Sequence, residues 1–163
     1  MKETKELWVE RTDVMIQGHP DFYRIHPGSV VRLKYSLPIH ILTVEEVNGQ
    51  IIVKATTQLP EGTNIKKIKA TINWLSVKDS VDMECRLYED LFVSNDLDFD
   101  NIPELKKRIN PSSKTVTKGK LNREIAKKLK TECNFQFERQ GFFALDLDSD
   151  LKKNKIVFNR VLE

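Results

Sequence analysis

The chain has 163 residues, 39% of them hydrophobic and 31% charged, which fits one folded domain or two small ones and excludes a mostly disordered chain. No apolar run approaches the ~20 residues that a membrane-spanning helix needs. The opening Met1-Lys2-Glu3-Thr4-Lys5-Glu6 has no apolar stretch of secretory type, so no membrane partner is expected and the expected location is cytoplasmic. The formal net charge of +3 hides a segregation: residues 82–104 carry eight acids against one base, and residues 105–130 carry ten bases against one acid. Such a basic run is either a solvated face or the electrostatic footprint of a nucleic-acid binder, and composition alone leaves both open.

Period-2 alternation dominates the first 90 residues. Val31, Leu33 and Tyr35 fall on one face of a predicted strand, with Arg32 and Lys34 on the other. Asn48-Gly49 separates two β-prone runs, 42–47 and 50–54, and marks a tight hairpin. Ile68, Ala70, Ile72 and Trp74 alternate with polar residues, as do Met83, Cys85 and Leu87. Turn signals lie between these runs, at His26-Pro27-Gly28-Ser29 and Leu59-Pro60-Glu61-Gly62. A polar, acidic crossing over 94–111 follows, then a short helix near 122–130 on Leu121, Ile125 and Leu129. Strands resume at 133–139 and 155–161. Short strands at such spacing predict a mostly β fold: two small β-barrels end to end with minor helix, the first over 5–92 and the second over 93–163.

Signatures of catalysis are missing. There is no GxxxxGK[ST] phosphate loop and no GxGxxG. The three histidines, His19, His26 and His40, read as surface or packing residues, and the carboxylates sit in a solvated acidic stretch. Cys85 and Cys133 have no CxxC partner and no histidine cluster, which points to buried free thiols rather than a zinc site. No catalytic, cofactor-binding or metal-binding residue is expected in this chain.

Two stretches carry a family resemblance. Ile72-Asn73-Trp74-Leu75-Ser76, followed by Cys85-Arg86-Leu87-Tyr88-Glu89-Asp90-Leu91-Phe92, resembles the (H/N)W(V/L)S…VRLY-x-x-LF signature of the anticodon-binding region in class I glutaminyl-tRNA synthetases and eukaryotic-type glutamyl-tRNA synthetases. Ile109-Asn110-Pro111-Ser112-Ser113, then Phe135-Gln136-Phe137-Glu138-Arg139-Gln140-Gly141-Phe142-Phe143, then Val157-Phe158-Asn159-Arg160 follow in the family's order, and Leu7–Asp13 resembles its opening strand. The resemblance spans about residues 6 to 160. INPSS, FQFER-x-GFF and VFNR together point to the glutaminyl branch.

The resemblance implies a function and a partner, the anticodon loop of a glutamine-accepting tRNA. It also implies a parent enzyme whose own catalytic domain ligates glutamine to that tRNA with ATP and Mg. The family's HIGH and KMSKS motifs lie upstream and are absent here, so the chain is expected to begin inside the anticodon-binding region and its second barrel to lack strands. By the same resemblance, Tyr23 and Arg24 fall where a basic pair reads the third anticodon base, with Tyr23 in place of the usual Lys. Arg32 and Lys34 match an Arg-x-Arg pair at the first base, with Lys34 a second departure. Gln136 and Arg139 match the residues that hold the middle base, uridine.

The residue types suit these tasks. Sequence-specific RNA reading works on splayed single-stranded bases. Arginine's rigid fork can meet two acceptors of a guanine edge, which suits Arg24, while Lys34 keeps the charge without the fork. Gln136 offers both a donor and an acceptor, matching uracil's mixed edge. Strict alternation would put Gln136 and Arg139 on opposite faces, so a bulge or strand end is expected near Glu138–Gly141. Lys66, Lys67 and Lys69 read as phosphate neutralisers. Two alternatives remain: the same region of a glutamyl-tRNA synthetase, and a free-standing β-barrel RNA-binding module.

Overall fold

In a computed structural model the described residues are 5–94, 99–130 and 134–162. The chain divides into two compact units, Met1–Lys78 and Asp79–Glu163. The division falls earlier than the boundary at residue 92 that the alternation suggested. The strand over 80–88 explains the difference, because its partners all lie later in the chain. Alternation marks a strand but does not say which sheet receives it.

In the first unit, β1 (Leu7–Val9) precedes β2 (Val30–Leu33), β3 (Pro38–Val47) and β4 (Gln50–Thr56). A 3-10 turn over Ile65–Lys67 leads to β5 (Thr71–Ile72) and β6 (Trp74–Ser76). The main sheet has the order β4-β3-β2-β5, with β5 parallel to β2, while β6 leaves it to pair with β1. Val31, Leu33, Ile41, Val44 and Ile72 turn one face of this sheet into a core that also takes Val14 and Ile25. The β3–β4 hairpin closes through Asn48 and Gly49, at φ 52 and 76, between the paired Val47 and Gln50. Two successive left-handed residues are what a type I′ hairpin turn requires.

The second unit contains β7 (Ser80–Tyr88), α1 (Ile102–Lys107), β8 (Lys114–Asn122), α2 (Arg123–Ala126), β9 (Asn134–Phe137), β10 (Gly141–Leu145) and β11 (Val157–Leu162). Their sheet order is β8-β7-β11-β10-β9, with β7 and β11 parallel. The core gathers Cys85, Leu121, Leu129, Phe143, Leu145, Ile156 and Phe158, with Phe135 and Phe137 packed against it. Phe137 stacks on Phe143 at 4.4 Å and meets Phe158 edge-on at 5.2 Å.

The fold is mostly β with minor helix, but the two barrels expected from the strand spacing are not closed. Each main sheet ends in edge strands: β4 and β5 in the first unit, β8 and β9 in the second. In the first unit the run from Ile68 to Trp74 accounts for the open edge. It breaks into two short strands that serve different sheets, and the two-residue β5 offers no further edge for closure. The helix expected over 122–130 is shorter, as α2, although Leu121 and Leu129 are both buried as their spacing implied.

The segregated charges meet across strands. Antiparallel pairing sets Asp82 opposite Lys120 and Glu84 opposite Lys118. Lys120 binds the Asp82 carboxylate, holding it below its ordinary pKa. Lys107 and Lys127 pair locally with Glu104 and Glu124. Part of the basic segment is thus a solvated, charge-matched edge of a sheet.

Candidate nucleic-acid interface

The Tyr23–Arg24 pair enters the first unit through backbone pairing on both sides of the next residue. The Ile25 N–H donates to the Asp13 carbonyl at 3.0 Å, and the Met15 N–H donates to the Ile25 carbonyl at 2.9 Å. This brings Arg24 against Asp13, whose carboxylate is fully buried and accepts from Arg24 Nη1 at 2.7 Å. A buried carboxylate demands such a partner. Arg24 therefore has a structural duty that residue spacing did not reveal, while its side chain, 38% exposed, still reaches solvent.

Tyr23 is exposed and lies within 5.9 Å of Lys69 Nζ, which sits over its ring. Tyr23, His26, Ser29 and Val30 line an open cleft of about 450 Å³ together with Asn64, Lys67, Ile68 and Lys69. His26 Nδ1 lies 3.0 Å from the Pro27 carbonyl. Of the basic cluster singled out at Lys66, Lys67 and Lys69, the fold places Lys67 and Lys69 at the cleft with Tyr23, across more than 40 positions of sequence.

Arg32 shares the face of β2 that carries Val30, opposite the buried Val31 and Leu33. The Arg32 N–H donates to Ala70 and the Lys34 N–H to Ile72, so the parallel ladder continues through Lys34 although β2 ends at Leu33. Lys34 consequently lies in the turn rather than on the strand. Arg32 Nη2 donates to the Ile65 carbonyl at 3.0 Å, tying the guanidinium to the same 3-10 turn that borders the cleft. The Trp74 indole N–H donates to the Lys34 carbonyl at 2.9 Å, and Asn73 donates to Glu10 at 3.1 Å. Trp74 of the INWLS stretch thus holds the backbone at Lys34, while Asn73 ties the stretch to Glu10.

In the second unit β9 ends at Phe137 and the chain turns through Glu138, Arg139 and Gln140 before β10. The Gln140 N–H donates to the Phe137 carbonyl at 2.9 Å, and Arg139 adopts φ 63 at the third position of that turn. That is where type II turns require a left-handed residue. The pleat therefore stops before Arg139, and alternation no longer assigns it a face. Gln136 is exposed on β9 between the anchored Phe135 and Phe137, and Arg139 is exposed at the tip.

Other signature residues turn out to hold the sheet. Arg86, on β7, donates to Glu84 at 2.9 Å, Asp146 at 3.1 Å and Asp148 at 2.8 Å. Asn159 joins Tyr88 at 3.0 Å and also donates to Asp146. The Asp148 backbone N–H, before the desolvation that opposes it, keeps the Asp146 carboxyl below its usual range. Cys85 is buried beside them, and burial, reinforced by Glu84, raises its thiol pKa from 9.0 to about 11. Cys133 lies outside the described residues. Among the described residues no group of three or more His, Cys, Asp or Glu is placed to hold a metal ion, and no helix is long and apolar enough to cross a membrane.

Residues 71–146 match the family model described as tRNA synthetases class I (E and Q), anti-codon binding domain. Nearly the whole chain also aligns with curated glutamine–tRNA ligases. The Nitrosomonas europaea protein is 32% identical over 169 residues, covering 99% of this chain and 30% of that protein. Those of Cupriavidus necator and Polynucleobacter necessarius are 34% and 33% identical, covering 98% of this chain and 28% and 29% of their own lengths. The chain thus spans about three tenths of the length of these relatives.

Proposed function

Because the chain belongs to the anticodon-binding domains of the class I glutaminyl- and glutamyl-type tRNA synthetases, we propose that it docks the anticodon loop of a glutamine-accepting tRNA. In this reading it is the carboxy-terminal anticodon-binding region of a cytoplasmic glutamine–tRNA ligase, whose catalytic domain consumes ATP elsewhere in the protein. The observation that carries the reading is the presentation of Arg32 on β2 and Lys34 in the turn that follows it, beside a cleft bordered by Tyr23, Lys67 and Lys69. Cations flanking an open cleft suit a phosphate backbone, and an exposed tyrosine in its wall suits an unpaired base.

Within this reading Arg24 meets the third base. Its Nη1 belongs to Asp13, so the remaining nitrogens of the fork, pre-aimed by that ion pair, make the base contact. Arg32 and Lys34 serve the first base and its phosphate, and Gln136 with Arg139 serves the middle uracil. The Lys67–Lys69 wall neutralises phosphate without reading sequence.

The test is fluorescence anisotropy of a labelled RNA stem-loop carrying a CUG anticodon, titrated with the chain at several salt concentrations. Binding should weaken steeply with salt and should favour this loop over one whose third anticodon base is changed. Equal affinity for both loops and for an unrelated hairpin would remove the anticodon assignment.

A further inference from the structure

Two hairpin tips, one in each unit, are built alike. In the first, Leu33 and Leu37 flank a three-residue loop: the Ser36 N–H donates to Leu33 at 2.9 Å and the Leu33 N–H to Leu37 at 3.1 Å. In the second, the paired Phe137 and Gly141 flank the loop that carries Arg139. The middle residue of each loop is left-handed, Tyr35 at φ 57 and Arg139 at φ 63. Among the described residues the other non-glycine residues with positive φ are Asn48 and Asn154, the residue type that tolerates it best. A tyrosine in that conformation is strained, and strain of this kind is a pointer to function when it is observed rather than assumed.

Among the described residues nothing in the packing of the first unit accounts for Tyr35. Its side chain is 97% exposed, so it contributes no burial. Its ring contact is with its own neighbour, Lys34 Nζ at 5.3 Å from the centroid. The loop beneath it is fixed, since Trp74 holds the Lys34 carbonyl and the Lys34 N–H is bonded to Ile72. The result is a flat aromatic surface held in water on a clamped support, with Lys34 beside it and Arg32 three residues back on β2.

We propose that Tyr35 is a stacking platform for one unpaired base of the bound RNA loop, with Lys34 and Arg32 neutralising the phosphate next to that base. An aromatic ring offers a π-face to any base, so the contact adds affinity with little sequence preference. A cation held against the ring adds attraction for the flanking phosphate where the base would seat. This inference rests on the RNA-loop reading above and adds a residue to it that the family resemblance does not supply.

The experiment uses the same stem-loop with 2-aminopurine placed in turn at each loop position. Wild type and Tyr35→Phe should quench the probe at one position and bind with equal affinity. Tyr35→Asn should abolish that quenching and weaken binding by roughly 5- to 150-fold, the usual range for one base stacked on an aromatic side chain. Because asparagine accepts the left-handed conformation, Tyr35→Asn should melt at or above the wild-type temperature, which separates loss of contact from loss of fold. Tyr35→Asn that quenches and binds like wild type, while Arg32→Ala weakens binding, overturns the inference and leaves the proposed function standing. A wild-type chain without affinity for the loop removes both.

Discussion

The hairpin tips and the β7–β11 seam teach opposite lessons about the same signature. At the tips, Tyr35 and Arg139 take an unfavourable backbone conformation and keep their side chains in solvent. At the seam, Phe158 is fully buried, and Arg86, Asn159 and Asp146 satisfy one another. Arg139 belongs to the FQFER stretch and Phe158 to VFNR, so the resemblance marks both alike. What separates them is where the free energy goes. Seam residues gain stability from their neighbours, whereas tip residues give some up and hold their side chains where a ligand can reach them. Asn48-Gly49 completes the comparison as a tip built from the two residues that make positive φ cheap.

The largest effect should come from the seam. Phe158→Ala removes a ring that touches Phe135 and Phe137, and should destabilise the second unit by about 3–5 kcal/mol. Urea denaturation followed by circular dichroism, with hydrogen exchange at β7, β10 and β11, would measure it. Arg139→Gly should behave in the opposite sense. If Arg139 makes the proposed base contact, the substitution should cost about 1–3 kcal/mol in loop binding, while relieving the left-handed strain at φ 63. A variant at Arg139 that loses stability and keeps its affinity would move that residue from the tips to the seam.

The third expectation concerns the tip that has no ligand to hold. Gly49→Ala places a Cβ on a residue at φ 76, where the surroundings are open and the strain is purely conformational. It should cost about 1–2 kcal/mol of stability and leave RNA binding untouched. If it weakens binding as much as Arg139→Gly, positive φ carries no information about function in this fold.

How far the sequence could be read follows from the range of the forces involved. Asn48-Gly49 was legible because its turn is decided by two adjacent residues. The core of β2 was legible because alternation is local. Tyr35 was misread: alternation placed it with Val31 and Leu33, but the strand ends at Leu33 and the turn carries the ring into solvent. Strand β10 was missed because Gly141 reads only as part of the bulge or strand end near Glu138–Gly141, and no alternation beyond it marks the start of the next strand. The Asp13–Arg24 pair, the Tyr23–Lys69 contact and the pairing of acidic β7 with basic β8 were invisible because tertiary contacts alone create them. The strong charge segregation was a signal of that strand pairing as much as of a ligand, and one sequence could not say which.

The smallest predicted effect tests whether the seam is as closed as its packing implies. Cys85 lies on β7 opposite Phe158, and burial raises its thiol pKa from 9.0 to about 11. Below pH 9 the thiol is protonated in folded and unfolded chains alike, so it gives stability no pH dependence. Between about pH 9 and 11 the unfolded chain releases the proton while the folded chain retains it. The unfolded state then binds fewer protons, and stability must fall as pH rises through that window. Lysines and tyrosines titrate there too, so the informative quantity is the difference between wild type and Cys85→Ala. The variant should be less stable by an offset that shrinks as the pH climbs from 9 to 11. A thiol reagent supplies the independent check. With Cys133 replaced by serine, native Cys85 should react far more slowly at pH 8 than the same thiol in urea, because burial suppresses both thiolate formation and access. Equal rates in the two states would mean that the seam opens readily, and the contrast with the tips would lose its basis.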